Sequence, residues 1–306
     1  MELEQLKRIT AIGGGHGLGR LLSTLQFMRR RLVGIVATTD NGGATGLLRQ
    51  SQQCIAWGDI RNCLSQLTTT PLAAEVLNYR FNGNSGLNGH NLGNLLLYAL
   101  DQLSARPLDG IQLMSRLLDI HTSILPMSEC PTDLVATTTD GIKCYGEIHV
   151  DQLQQMPHAI GLSGHVHATP EAISHIQYSD LIILGPGSFL TSVLPPLLVD
   201  DISQAIADSH ALVVFIDNLV NERSPAGQLT VSAKLDWLAH QLGHQLVDVV
   251  ISNQPDADLQ LPVIGAVNAD PQVRHRHDAA SLLQALRSAV AEYIPQVEAR
   301  AAIGKR

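Results

Sequence analysis

A chain of 306 residues that is 45% hydrophobic and 16% charged can bury a large core, as one large α/β domain or two smaller ones, and is too apolar to be disordered. A net charge of −8 without an extended basic stretch argues against a nucleic-acid partner, while leaving room for a local basic pocket around one anionic ligand. Four cysteines (Cys54, Cys63, Cys130, Cys144) without CxxC spacing, an acidic start without a leader-like apolar stretch, and no run long enough to span a bilayer suit a reduced, cytoplasmic protein away from membranes.

The apolar residues before the first glycines predict a strand over 8–12. A helix over 18–28 follows, its end carrying Arg29, Arg30 and Arg31 where cations suit the dipole, and then a second strand over 32–37. The next stretch, TTDNGGATGLLRQSQQCIAWGDIRN, lacks periodicity for about twenty residues, and so long a loop inside a compact fold is usually functional. Helical patterns then occupy 59–68, 72–79, 91–103 and 108–117. LVATTTDG and IKCYGEIHV flank a turn at Asp140-Gly141 and predict a β-hairpin. DLIILGPGSF and ALVVFIDNL are buried strands. A helix over 229–242, two late strands in LVDVVIS and LPVIGAV, and a terminal helix from 278 to about 293 complete the chain. Continuous apolar strands separated by helices predict a doubly wound, mainly parallel α/β sheet with an antiparallel hairpin excursion around residues 120–150, all in one domain over 1–306.

Ligands of such sheets gather beyond the carboxyl ends of the strands, where five polar turns of this chain fall. In the first, Gly13, Gly14, Gly15, His16 and Gly17 open a helix whose free N–H groups and positive dipole end suit a phosphate; a tight turn without a ligand is the alternative. Asp40 stands near the place of a ribose-binding acid, so a nicotinamide dinucleotide also fits this stretch. In the second, Asp40 and Asn41 offer groups for a cation or for ribose or sugar hydroxyls, and Thr39, Gly42 and Thr45 can wrap an anion; an Asx-turn loop is the alternative. In the third, Asp59 is an N-cap or a ligand group, beside Asn62. Arg61 opposes the helix dipole and so requires an anion or a carboxylate nearby. In the fourth, His90, Asn91 and Asn94 head a strongly apolar helix, and capping accounts for Asn91 alone. The fifth, Gly185, Pro186, Gly187 and Ser188, is a second strand-to-helix glycine turn in the same sheet.

Taken in order, GGGHGLG, TTDNGGATG, GDIRNCL, GHNLGNLLL, ILPMS and LGPGSFLTSVLP resemble the gluconeogenesis factor family, which is related to the 2-phospho-L-lactate transferases of coenzyme F420 synthesis. The blocks run from Ile12 to about Pro195. The resemblance implies a Rossmann-like fold and a nucleotide-type ligand. In the gluconeogenesis factors it implies a bound UDP-sugar such as UDP-N-acetylglucosamine, and support of cell shape and envelope precursor metabolism on gluconeogenic carbon. In the transferases it implies transfer of a phospholactyl group from a guanosine diphosphate carrier to a deazaflavin, assisted by a divalent metal. Relatives also imply a homodimer; no protein partner is indicated. The family commonly has a double acid where Asp40-Asn41 stands and a threonine where His16 stands. The first change removes a charge that would help hold Mg²⁺.

The leading expectation is a nucleotide-sugar-binding regulator. The turns at 13–17 and 185–188 would cradle the diphosphate, Asp40, Asn41 and Asn218 would address hydroxyls, and Arg49 or Arg61 would balance phosphate charge, with Glu222 and Arg223 within reach. The enzymatic alternative is a phospho-acyl transferase in which Asp40 and Asp59 hold Mg²⁺ and are the catalytic candidates; no other cofactor is called for. An NAD-dependent oxidoreductase is the third reading. His165 and His167 share HxH spacing, with His158 and His175 as further ligands by number only, and an exposed strand or loop is the plainer reading. His275 and His277 read as a solvated approach to a helix, Cys63 as core, and Ser188 lacks the GxSxG context of a hydrolase nucleophile.

Overall fold

β1 (Ile9–Gly13) is buried along its whole length, and its side chains divide between two cores. Ile9 and Ala11 enter one and Ile12 the other, the alternation expected of a strand covered on both faces. The same division recurs in the other strands. Ile183 and Leu181 face the first core, while Ile182 and Leu184 face the second.

In the computed structural model, which describes residues 1–303, β1 leads through α1 (Gly15–Thr24) to β2 (Leu32–Val36). Five helices follow: α2 (Gly43–Ser51), α3 (Trp57–Leu67), α4 (Pro71–Asn78), α5 (Leu92–Leu103) and α6 (Pro107–Leu117). Then come β3 (Ser123–Pro126), β4 (Leu134–Thr137), β5 (Lys143–Tyr145), the short α7 (Glu147–Asp151), β6 (Ala159–Leu162) and α8 (Pro170–Gln177). β7 (Leu181–Leu184) is followed by α9 (Leu194–Leu197), α10 (Asp200–Ala207), β8 (Leu212–Ile216), α11 (Val231–Leu242), β9 (Val249–Ile251), β10 (Val263–Ile264) and α12 (Ala279–Ile303).

Seven strands form a wholly parallel sheet in the order β10-β9-β8-β7-β1-β2-β3, and β5-β4-β6 form a small antiparallel sheet. Leu18, Leu22, Trp57, Ile60, Cys63, Leu97 and Leu286 fill the core on one face of the large sheet, and Ala172, Phe189, Leu194, Ile202, Phe215 and Leu235 that on the other. Each such side chain contributes about 1.5–3 kcal/mol by leaving water. The sheet is thus the rigid floor on which the glycine turns are mounted. Among the described residues no helix is long and apolar enough to cross a membrane.

The α/β class, the parallel sheet and the antiparallel excursion match the expectation, and several details do not. α1 starts at Gly15 and ends at Thr24, so Arg29, Arg30 and Arg31 lie in a 3₁₀ turn beyond it, with Arg29 at φ 52° and Arg31 donating to the carbonyls of Glu4 and Leu6. The supposed twenty-residue loop contains α2. The second arm of the hairpin ends at Tyr145, and Glu147 onward is α7 rather than strand. β6 adds a third strand on the other edge of β4.

Candidate functional site

The sheet order reverses between β1 and β7. From β1 the chain winds outward to β2 and β3, and from β7 it winds the other way to β8, β9 and β10. The crevice above such a reversal is where open α/β sheets take ligands. Both neighbouring strands end there in glycine turns that touch. A methyl group on Gly17 would run into the Pro186 carbonyl oxygen, and the Cα of Gly185 lies 3.8 Å from where a Gly13 Cβ would stand. Gly15 sits at φ +59°, which lets the chain turn into α1 with its first N–H groups facing the crevice. The Gly185-Pro186 peptide is cis.

One end of the crevice is cationic. A cavity of about 480 Å³ opens beside α1, within the range of small-molecule sites. α1 lines it with His16, Gly17, Arg20, Leu21 and Thr24, and the β7 turn with Pro186, Gly187 and Ser188. The segment after β8 adds Asn218, Val220, Asn221, Glu222 and Arg223, and the approach to α12 adds His275, Arg276, His277 and Leu282. Partial desolvation and the fields of Arg20, Arg61 and Arg276 hold the His16 imidazole below its ordinary pKa. Burial and Arg276 likewise depress Arg20, against the pull of Asp270. Like charges therefore crowd the entrance to α1, and the Nε of Arg276 is buried without a partner. His275 is exposed, as the sequence suggested, but His277 is not on a plain solvated approach. The chain folds back through the Ala269–His277 bridge, and the His277 Nε2 lies 3.1 Å from the Asp217 carbonyl oxygen.

An acidic cluster lies buried against the start of α1. Asp40 and Asp59 approach from the ends of two segments. An added Cβ on Gly58 would lie 2.9 Å from Asp40 Oδ2, and one on Gly14 would lie 2.5 Å from Asp59 Oδ2. Burial and the neighbouring Asp40 push the Asp59 carboxyl up to about 7, although the Gly15 N–H, Arg61 and Asn62 favour its charged form. Glu147, the first residue of α7, joins them; burial, Asp59 and Asp40 raise it well above the carboxylate range, while the Thr39 hydroxyl donates to its Oε1 at 2.6 Å. Mutually repelling carboxylates of this kind suit a divalent cation shared with a ligand phosphate, since Mg²⁺ is commonly held by one or two carboxylates plus phosphate oxygens. Asp40 and Asp59 would hold it, and it would supply charge neutralisation. Among the described residues no group of three or more His, Cys, Asp and Glu side chains is arranged to hold a metal ion unaided.

Several residues expected to meet the ligand are tied into the scaffold by hydrogen bonds. The guanidinium of Arg49 donates to the carbonyls of Thr39, Asp40, Cys54 and Thr132 and pairs with Asp133 at 3.0 Å, so its charge is engaged behind the crevice. The Asn41 Oδ1 accepts the Ile148 N–H at 3.2 Å and so supports the start of α7, and Asp40 Oδ1 accepts the Gly42 N–H in an Asx turn. Asn91 caps α5 by accepting the Asn94 N–H. The Asn94 side chain then accepts from Arg61 Nε at 3.4 Å and donates to Thr45 Oγ1 at 3.4 Å, while Arg61 also donates to Asn78 at 2.6 Å. Arg61 is thereby held where its charge is felt by Asp59 and His16. Asn62 is buried beside Asp59, and the His90 Nδ1 is buried without a partner. Asn218 Nδ2 donates to the Gly187 carbonyl at 2.9 Å, Ser188 Oγ donates to Glu222 at 2.8 Å, and Arg223 is exposed at the cavity edge.

Arg20 and Arg276 line the cavity, and Glu147 joins the acidic cluster, without having been singled out from the sequence. A helical-wheel argument could have found Arg20, one turn beyond His16. The others are brought in by distant segments. Cys63 is core, as expected. His165 and His167 are exposed on an irregular segment with rings 4.9 Å apart, and His167 Nδ1 lies 3.3 Å from Asp201.

The chain that builds this parallel sheet and its two touching glycine turns matches the family described as 2-phospho-L-lactate transferase CofD. Its model matches residues 9–294, and the chain belongs to that family. Within it the chain is similar to proteins bearing the name "Putative gluconeogenesis factor". The one from Yersinia pestis is 48% identical over 290 residues, covering 93% of this chain and 94% of its own. Those from Pasteurella multocida and Vibrio cholerae are each 46% identical, covering 93% and 94% of this chain and 94% and 98% of their own. A solved structure of a UPF0052 family protein from Bacillus halodurans superposes with a TM-score of 0.83 at 30% identity, covering 91% of this chain and 98% of that one.

Proposed function

We propose that the chain binds a nucleotide sugar in the crevice between β1 and β7. The observation that carries this reading is the pair of arginines at the cavity. Arg20 and Arg276 repel one another beside the His16 imidazole and the start of α1, next to a cavity large enough for a nucleoside, which is the complement of a diphosphate. Asn218 and Glu222 supply polar groups for hydroxyls, and Leu21, Val220 and Leu282 supply apolar wall. The name carried by the relatives fits a role for this ligand during growth on gluconeogenic carbon, with cell morphogenesis and envelope precursor supply as the processes served. Isothermal titration with UDP-N-acetylglucosamine should give a saturable heat at one site per chain. No heat with any UDP-sugar, with or without Mg²⁺, would remove the proposal.

A transferase of phosphorus-containing groups is the second reading, and Asp59 favours it. Its carboxylate, beside that of Asp40 and against the start of α1, is placed to share a divalent cation with a donor phosphate. On this reading Asp40→Ala abolishes turnover of a nucleoside-diphosphate donor while the fold persists.

A further inference from the structure

Glu222 is the one acid among the groups lining the cationic cavity, and a negative charge there opposes the binding of any phosphate. Its position is nevertheless fixed with care. One carboxylate oxygen accepts the Ser188 hydroxyl at 2.8 Å, and both lie 3.2 Å from the Phe189 N–H. These donors belong to the turn that abuts Gly17, so the carboxylate is anchored directly beside the place a phosphate would occupy. A carboxylate has about four acceptor sites, more than these two donors fill, and Glu222 lines the cavity. Burial and the charge of Glu222 also raise the nearby Asp151 carboxyl to about 6, so the site keeps Glu222 despite a cost to its neighbour.

We infer that Glu222 reads the ribose diol of the bound nucleotide, making the site selective for ribonucleotides over deoxyribonucleotides. This rests on the nucleotide reading above. A carboxylate cannot recognise phosphate, but it accepts two hydrogen bonds side by side from vicinal hydroxyls. The sugar rather than the base is the target because Ser188 and Phe189 hold Glu222 next to the phosphate turn, and in a nucleotide the ribose is the unit attached to the phosphate. Loss of one hydroxyl leaves a desolvated acceptor without its donor, a penalty on the order of ten-fold or more in affinity.

The test is calorimetric titration of the full chain with the ribonucleoside diphosphates of uracil and guanine and with their 2′-deoxy counterparts, repeated on Glu222→Gln. We expect the ribonucleotide to bind at least ten-fold tighter than its deoxy counterpart. Glu222→Gln should cut that ratio to about three-fold or less, with deoxynucleotide affinity held or raised because the repelling charge is gone. Equal binding of both sugars by the unmodified protein would overturn the inference while leaving nucleotide binding intact. So would a variant that weakens both sugars alike, as an anchor of the turn would, or one that changes only the preference between bases. Absence of binding by all four nucleotides would instead remove the nucleotide reading itself.

Discussion

Asp59→Asn should stabilise the protein, and only where the unfolded chain's carboxyl is ionised. In the unfolded chain this group titrates near its ordinary value of about 3.9, whereas burial and Asp40 raise it to about 7 in the fold. Between those values the folded state holds a proton that the unfolded state has lost, so stability falls as pH rises from about 4 to about 7 and is level above. Three pKa units at about 1.4 kcal/mol each set an upper bound near 4 kcal/mol. The Gly15 N–H and the crevice solvent leave an expected gain of about 1–3 kcal/mol for the amide, which has the same shape and keeps an acceptor for that N–H. For a chain of this size that corresponds to a rise of roughly 2–5 °C in Tm. Thermal and urea unfolding at pH 4.5, 6 and 8 measure it, with the gain vanishing toward pH 4.5. A variant less stable than the native chain at pH 8, or a difference independent of pH, would refute the electrostatic account.

Two further changes probe the framework. Gly17→Ala would stabilise a free helix by about 1 kcal/mol, yet here we expect a loss of about 1–3 kcal/mol and weaker anion binding, because the new methyl meets the Pro186 carbonyl; thermal unfolding and titration with UDP report both. Lys234 Nζ pairs with Asp217 at 2.8 Å with both side chains buried, so Lys234→Met leaves an uncompensated charge and should cost about 3–5 kcal/mol in urea unfolding, largely recovered when Asp217→Leu is added.

The strands were legible because their burial is written as unbroken apolar runs: ITAIG, LVGIV, LIIL and LVVFI are all wholly buried. The glycine turns were legible for the same reason, since each directly follows such a run. α2 was not, because its buried face is made of Ala44, Thr45, Gly46 and Leu48. A face of small residues packs closely against Asn41 and Gly58 without producing a hydrophobic period. α7 was misread because EIHV is rich in strand formers, while the group that supports its start, Asn41, is remote in sequence. The role of Arg49 depends on carbonyls from three separate segments. The place of Arg276 depends on how the chain returns from β10, and no local pattern encodes either.

β1 and β7 share a register from Ile9 with Leu181 to Ile12 with Leu184, although most of the chain's first half and more separates them. Contacts so distant in sequence are slow to form, because the loop must close before anything rewards it. A growing polypeptide would carry its first glycine turn exposed and incompetent until the β7 turn and then the segment at 275–277 had arrived. On the proposed function, nucleotide capture would report that folding has reached its last elements, and a fragment truncated before residue 275 should hold no more than part of the crevice's grip.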